Sequence, residues 1–512
     1  MTIDEPASSP FAAQWAAQPA IIVEPSGRRV TFGELDSRSM RVARHLRDGG
    51  ASIGSTIAIL MENRAEFLET AWAAQRAGLR YVGVNSHLTA PEVAHILADC
   101  EPMAVVTSAA LAPIAVAALP VSAHLLVMVD RPREGFDDWA DYESMLAQTD
   151  DAPLPDQCEG DFMLYSSGTS GRPKGIERPL GLGPLGSYPD VPGKWLAGRL
   201  GMVPGDVYLC PAPLYHAAPL AWSMGTHRQG STVVVMESFD AQQALSLIER
   251  HGVTHSQWVA TMFVRMLKLD ESVRRAHDLS TLRAAVHAAA PCPVEVKRAM
   301  IDWWGPILYE FYSNTEGVGA TFITSDEWMA HPGSVGRPAL GRPLIADDDG
   351  APQPPGEVGT IWFADIPEFA YHGAAVDAPA RRDHPDGYFS VGDLGYLDDD
   401  GYLYLVDRRS DLIIAGGVNI YPREIEDALI MAPGVLDVAV VGAAHESLGR
   451  VPVALIVPSD PDGDADALVG ELAQYCRERL AGFKQPRRID VVDSLPRTPT
   501  GKLRKHELTV EV

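Results

Sequence analysis

The chain has 512 residues, 46% of them hydrophobic and 21% charged, and its formal net charge is −26. This length and apolar content indicate several folded units around a large buried core and exclude a disordered chain. The acidity excludes nucleic acid and an anionic membrane surface as main partners, since both demand a basic face, but it leaves room for a nucleotide in a local basic pocket.

The segment Met1–Phe11 has acidic and proline residues and no apolar run, so no signal peptide is expected. Thr31 is placed to cap a helix ending near Gly49-Gly50, with Glu34 completing a capping box. Thr56–Met61 reads as a buried strand, Glu66–Ala77 as a helix stopped by Gly78, and Tyr81–Val84 as a strand. Thr89 caps a helix through Ala98. The stretch Met103–Val129 carries no Asp, Glu, Lys or Arg and is long enough to span a bilayer, but Pro113, Pro120 and His124 interrupt it. It reads as strand, short helix and strand of a buried α/β unit, so no integral membrane association and a cytoplasmic protein are expected. The alternation of strand and helix predicts a parallel sheet with crossover helices.

A short apolar run, Phe162–Tyr165, leads into Ser166-Ser167-Gly168-Thr169-Ser170-Gly171-Arg172-Pro173-Lys174-Gly175. Glycines let backbone N–H groups converge, the hydroxyls of Ser166, Ser167, Thr169 and Ser170 add donors, and Lys174 adds a positive charge. Such a loop can wrap a polyphosphate. Its spacing does not fit Gly-x4-Gly-Lys-Ser/Thr, and taken alone it is also readable as a plain flexible loop.

Beyond it, Gly181–Gly193 reads as irregular, Val207–Cys210 as a strand before the turn ending in Tyr215-His216, and Ser231–Met236 as a strand. Helices are expected at Ala241–His251, Thr261–Leu269 and Pro293–Trp304, and strands at Arg283–Val286 and Ile307–Tyr312. From 330 to 405 helical periodicity gives way to short apolar runs punctuated by Gly, Pro and Asp, as in a small β-barrel or antiparallel sheet. A charged stretch, Asp407–Asp411, precedes a final α+β unit with a helix near Pro422–Met431, strands at Leu436–Val441 and Val451–Val457, and a helix at Ala465–Leu480. The five cysteines, Cys100, Cys158, Cys210, Cys292 and Cys476, form no Cys-x-x-Cys pair and read as small buried hydrophobes.

Five motifs in this order resemble the adenylate-forming superfamily, which holds acyl-CoA synthetases, aryl-CoA ligases, firefly luciferase and peptide-synthetase adenylation domains. Ser166–Gly175 is similar to its phosphate loop. Tyr312-Ser313-Asn314-Thr315-Glu316 is similar to Tyr-Gly-x-Thr-Glu, with Ser313 in place of glycine. Tyr388–Gly395 is similar to Tyr/Trp-x-x-Thr-Gly-Asp, with Val391 in place of threonine. Asp407-Arg408 with Ile414–Glu426 resembles the hinge and the start of the small domain, and Pro496–Lys502 resembles the segment carrying the catalytic lysine. The likeness covers nearly the whole chain. It implies an α/β fold: a large N-terminal domain, residues 1–407, of stacked parallel sheets with helices plus a small β-barrel at about 330–405, and a small mobile α+β C-terminal domain, residues 408–512.

The resemblance implies an acid–thiol ligase of the AMP-forming acyl-CoA synthetase type. A carboxylate attacks the α-phosphorus of ATP to give acyl-adenylate and pyrophosphate, and coenzyme A then displaces AMP. Its partners would be a small-molecule carboxylic acid, ATP, Mg²⁺ and coenzyme A. It is compatible with a homodimer, and the residues do not fix the oligomeric state. The phosphate contacts would come from Ser166, Ser167, Gly168, Thr169, Ser170, Gly171 and Lys174. Tyr312 would face adenine, with Asn314 in the same motif, while Asp393 and Arg408 would hold the ribose. Thr315 would bond the α-phosphate, Glu316 would hold Mg²⁺, and Lys502 would bridge carboxylate and α-phosphate oxygens. Gly416 and Gly417 would line the thiol tunnel after the small domain rotates about a hinge near Ser410, where Asp or Lys is more usual.

For the acid, His216 matches an aromatic-His position beside the carboxylate, and Trp222, Trp258, Met262, His287, Ala288 and Ala289 are candidate pocket residues. No Lys or Arg is placed for a second carboxylate, so an apolar acid is favoured: fatty, branched, aryl or steroid, with the fatty type preferred. Three alternatives stay open: an enzyme that loads a carrier protein, a non-catalytic binding protein on the same fold, and a luciferase-like oxygenase.

Overall fold

The computed structural model describes the chain apart from residues 1–10, 12, 133, 167–173, 188–190, 374–381, 384–386, 417, 446–447, 499–502, 509 and 511–512. It contains two compact units, Met1–Gln257 with Glu271–Ala285 and Glu368–Ala378, and Trp258–Asp270 with Val286–Pro367 and Pro379–Val512.

In the first unit, six strands lie in the order Ala140–Asp141, Leu125–Val129, Ala104–Ser108, Thr56–Leu60, Arg80–Gly83, Asp161–Phe162. Every neighbouring pair is parallel. Ile57, Ala58, Ile59 and Leu60 are all at 0% exposure, so this strand reads as an unbroken apolar run, as a strand covered on both faces must. The helix Phe32–Asp48 starts at the expected capping box of Thr31 and Glu34, and Ala90–Cys100 starts at the expected cap Thr89, where Glu92 completes a capping box. The uncharged stretch 103–129 folds as expected into the strand Ala104–Ser108, the helix Ala112–Ala118 and the strand Leu125–Val129. Its Val105, Ala112, Ala115 and Met128 sit in one apolar cluster. Among the described residues no helix is long and apolar enough to cross a membrane.

A second sheet of this unit runs Arg29–Thr31, Pro19–Glu24, Thr232–Met236, Val207–Cys210 and then the strand that begins at His255. The helix Ala217–Arg228 was not expected from the sequence. Nine of its 12 residues are buried, so it has no solvent face to create an amphipathic stripe. Its last residue, Arg228, is paired at 2.9 Å with the buried Glu159.

In the second unit one run of strands is antiparallel. Their order is Leu308–Tyr312, Ala320–Ile323, Ser334–Leu340, Leu403–Arg408, Asp393–Leu397, Gly359–Ala364, and Arg342–Ala346 also pairs with Gly359–Ala364. The C-terminal part builds its own sheet, in which Val435–His445 and Gly449–Pro458 form a long hairpin, Ile413–Ala415 and Val418–Ile420 a short one, and Arg488–Val491 adds a parallel edge. The helices Pro422–Leu429 and Ala465–Arg479 supply Ile425, Leu429, Leu472 and Cys476 to a core shared with Ile413, Val440 and Ile456. All five cysteines are buried and free.

Candidate active site

Three of the expected nucleotide residues meet in the second unit. Tyr312 ends one strand, Asp393 opens another and Arg408 ends a third. Antiparallel register sets Asp393 directly opposite Arg408. Tyr312 Oη donates to Asp393 Oδ2 at 2.7 Å, and Arg408 Nε lies 3.4 Å from Asp393 Oδ1. Burial and the Asp393 charge push the Tyr312 phenol well above its ordinary range, so it stays a donor. A carboxylate offers about four acceptor sites. With one oxygen on Tyr312 and the other facing Arg408, the remaining lone pairs suit a vicinal diol.

The loop after Tyr312 is closed by its own side chains. Asn314 Nδ2 donates to the Val318 carbonyl at 3.0 Å, and Asn314 Oδ1 accepts from the Val318 amide at 2.9 Å. Ser313 Oγ donates to the Gly319 carbonyl at 2.9 Å. Gly319 has φ 71°, and a Cβ there would overlap the Phe363 ring. The amide of Asn314 is thus taken up in shaping the loop, and half-buried Thr315 and Glu316 stand at its tip. Ser313 in place of the usual glycine is accommodated through its hydroxyl bond.

In the first unit, Leu164–Ser166 and Lys174–Glu177 form an antiparallel hairpin that sets Lys174 opposite Ser166. The connecting residues Ser167, Gly168, Thr169, Ser170 and Gly171 lie outside the described residues, as does the side chain of Ser166. The base of this loop is tied down: Tyr165 Oη donates to Asp99 Oδ2 at 2.5 Å, and the strand Ala370–Tyr371 adds to the hairpin edge. The Lys174 ammonium lies 5.8 Å from the centroid of the Tyr371 ring. In the same unit His216 is the N-cap residue of the helix Ala217–Arg228, its ring 4.6 Å from that of Tyr215, and Trp222 is buried within that helix.

The other pocket candidates belong to the second unit. Trp258 packs on Phe263 and Trp304, with ring centroids 6.2 and 5.5 Å away, and Met262 is 3% exposed. His287 departs from expectation. Its ring enters a buried polar cluster, with Nε2 3.5 Å from Glu310 Oε2, which accepts from Lys297 Nζ at 2.6 Å. Burial and the Lys297 charge hold His287 neutral, well below its ordinary value. Ala288 is buried and its amide donates to the Trp258 carbonyl, while Ala289 adopts φ 70°, a region that favours glycine. The Lys297–Glu310 pair had not been singled out in the sequence. The signal was there: strand alternation puts Glu310 on the buried face with Leu308, so a partner was required.

The C-terminal motif residues are placed through their surroundings. Arg409 Nη1 donates to Thr360 Oγ1 at 3.0 Å, and its amide donates to the Gly392 carbonyl, whereas Ser410 is exposed and bonds to neighbouring Asp411. Gly416 has φ 56° in the short hairpin; Gly417 and Lys502 lie outside the described residues. On either side of Lys502, Arg497 makes two 2.6 Å bonds to Asp437 and bridges to Leu503, and Lys505 is 2.8 Å from Glu426. Although burial opposes it, the Glu426 and Asp407 charges keep the Lys505 ammonium above its ordinary value.

Among the described residues no cluster of three or more His, Cys, Asp or Glu could hold a metal ion. Glu316 offers a hard carboxylate at the loop tip, which suits Mg²⁺ bound mainly through phosphate oxygens and water.

Comparison with known proteins matches two family models to the chain. Residues 10–366 match the AMP-binding enzyme family, and residues 424–502 match the AMP-binding enzyme C-terminal domain. A long-chain-fatty-acid–CoA ligase, FadD13, from Mycobacterium tuberculosis is 32% identical over 496 residues, spanning 94% of this chain and 93% of its own. A feruloyl-CoA synthase from Amycolatopsis is 34% identical over 505 residues, spanning 96% and 95%. The o-succinylbenzoate CoA synthetase from Bacillus subtilis, solved with its acyl-adenylate intermediate, superposes with a TM-score of 0.79 at 28% identity, covering 99% of each chain. The chain therefore belongs to the AMP-binding enzyme family of the adenylate-forming superfamily, on its acyl-CoA synthetase branch.

Proposed function

We propose that the protein activates an apolar carboxylic acid of the fatty-acid type as acyl-adenylate and passes the acyl group to coenzyme A. The observation that carries the reading is the Tyr312–Asp393–Arg408 arrangement, a ribose-sized set of hydrogen-bonding groups at the mouth of the Thr315-Glu316 loop. In the first step a carboxylate oxygen bonds to the α-phosphorus and pyrophosphate leaves. In the second the thiol sulfur bonds to the acyl carbon, its proton goes to solvent, and AMP leaves.

Joining two anions calls for positioning and charge neutralisation more than for acid–base work. Asp393 and Arg408 hold the ribose, Tyr312 lies against adenine, and Thr315 bonds the α-phosphate. Lys174 and the loop 166–171 take the outer phosphates, and His216 faces the acid carboxylate. Glu316 would hold Mg²⁺, which supplies charge neutralisation on the phosphates. Lys502 bridges the attacking and α-phosphate oxygens. Residues 408–512 form the small domain that turns near Ser410 to present Gly416 and Gly417 to the thiol.

An apolar acid is supported by the charge state of the buried polar cluster. Lys297 is neutralised by Glu310 at 2.6 Å and His287 is neutral, so neither is available for a second carboxylate. The test is pyrophosphate release with aliphatic, aryl, steroid and dicarboxylic acids, followed by the mass of the product. The expected result is release with monocarboxylic apolar acids and a coenzyme A thioester as product. Preference for a dicarboxylic acid would overturn the substrate class, and a thioester formed only on a carrier protein would overturn the acceptor.

A further inference from the structure

We propose that Lys268 is a positioning residue that grips the strand Val435–His445 and thereby favours one of the two half-reactions over the other. The inference rests on the two-step reading above.

Lys268 follows the helix Ala260–Leu267 as its C-cap residue. Its ammonium donates to three main-chain carbonyls, those of Ile430 at 3.1 Å, Val435 at 2.6 Å and Leu436 at 3.0 Å. An ammonium has three protons, and each has an acceptor here. Burial draws this group down to about 8, so at neutral pH it still carries its charge. Ile430 caps the C-terminus of the helix Pro422–Leu429, where carbonyls lack intrahelical partners and partial negative charge collects. Val435 and Leu436 open the strand Val435–His445.

The next residue on that strand is Asp437, which accepts both bonds from Arg497. Arg497 and Leu503 bridge across the base of the Lys502 loop, and the Arg504 amide donates to the Pro496 carbonyl at 2.8 Å. Three consecutive residues are thus held, Val435 and Leu436 by Lys268 and Asp437 by Arg497. The covalent path from Lys268 to this strand runs through the turn at Arg408–Asp411. A rotation of residues 408–512 about that turn must break all three Lys268 bonds together. Asp437 and Arg497 both lie within 408–512 and keep their bonds through such a rotation, so the Lys268 bonds are what ties the chain to the present arrangement.

The experiment measures the two half-reactions separately in the full-length enzyme, as acid-dependent pyrophosphate exchange and as thioester formation from preformed acyl-adenylate. Lys268→Met should slow the half-reaction served by this arrangement roughly five- to tenfold and leave the other unchanged or faster, and Lys268→Arg should restore most of the slowed step. Equal losses in both steps, or no change in either, would overturn the proposal. Amide exchange over residues 430–438 provides a measurement independent of activity. It should accelerate in Lys268→Met or, if that variant folds poorly, in Lys268→Gln; unchanged exchange counts against the grip. If the wild-type enzyme releases no pyrophosphate with any acid, the ligase reading fails, while the exchange result still decides whether Lys268 holds the strand.

Discussion

Asp393 and Arg408 are register partners on neighbouring strands, and Arg408 Nε lies 3.4 Å from Asp393 Oδ1 while Tyr312 holds Oδ2 at 2.7 Å. A carboxylate fixed from both sides loses little freedom when a sugar binds. Asp393→Asn replaces one acceptor oxygen with a donor. A hydrogen bond to a charged group is worth about 1.5–3 kcal/mol, so KM for ATP should rise on the order of 10- to 100-fold in the pyrophosphate-exchange assay. A change below about twofold would remove Asp393 from the nucleotide site.

Lys502 lies between two anchored points, the Arg497–Asp437 pair and Lys505 beside Glu426. Truncating it should leave these anchors in place. Lys502→Ala is expected to cut adenylation by roughly 100- to 1000-fold, the scale of losing one charge-stabilising group. Conversion of a preformed acyl-adenylate to thioester should persist. Loss of both steps in equal measure would contradict the assigned role.

The buried Lys297 and Glu310 predict a stability effect. Lys297 is at 0% exposure and its one ion-pair bond to Glu310 is 2.6 Å long. Removing a single partner leaves an uncompensated buried charge, which costs about 3–5 kcal/mol. Lys297→Met should therefore lower stability by that order in denaturant titration. The double variant Lys297→Met with Glu310→Leu should recover a large part. A double variant as unstable as the single one would show that packing volume, and not the charge, sets the cost.

Much of this was legible in the sequence, and the exceptions have physical causes. Thr31 with Glu34, and Thr89, announce helix starts because capping is local chemistry. The stretch 103–129 divides correctly because Pro113 and Pro120 cannot sit inside one long helix. The helix Ala217–Arg228 was missed because burial on nearly all sides erases amphipathic periodicity. Lys268 was invisible for a different reason. Its acceptors are backbone carbonyls, which every residue carries, so no side-chain pattern points to them.

Asp427 gives a pH-dependent prediction for the C-terminal part. Burial pushes its carboxyl up to about 6, against the pull of Arg423, whose Nε lies 3.5 Å away; nearby Glu426 and Asp407 add to the rise. The folded state then binds this proton more tightly than the unfolded chain, whose carboxyl titrates near the ordinary aspartate value of about 3.9. Stability linked to this group is fully present below that lower value and is lost as pH rises through about 6. Asp427→Asn keeps a neutral side chain at every pH, so it removes the linkage. Relative to wild type, the unfolding midpoint of Asp427→Asn should climb between roughly pH 4 and pH 6 and level off above. The side chain is 34% exposed, so solvent screening keeps the climb well below that of a fully buried charge. Thermal unfolding of both proteins across this range checks it. A difference that stays flat, or that falls as pH rises, would mean that Arg423 fully compensates Asp427 in the folded state.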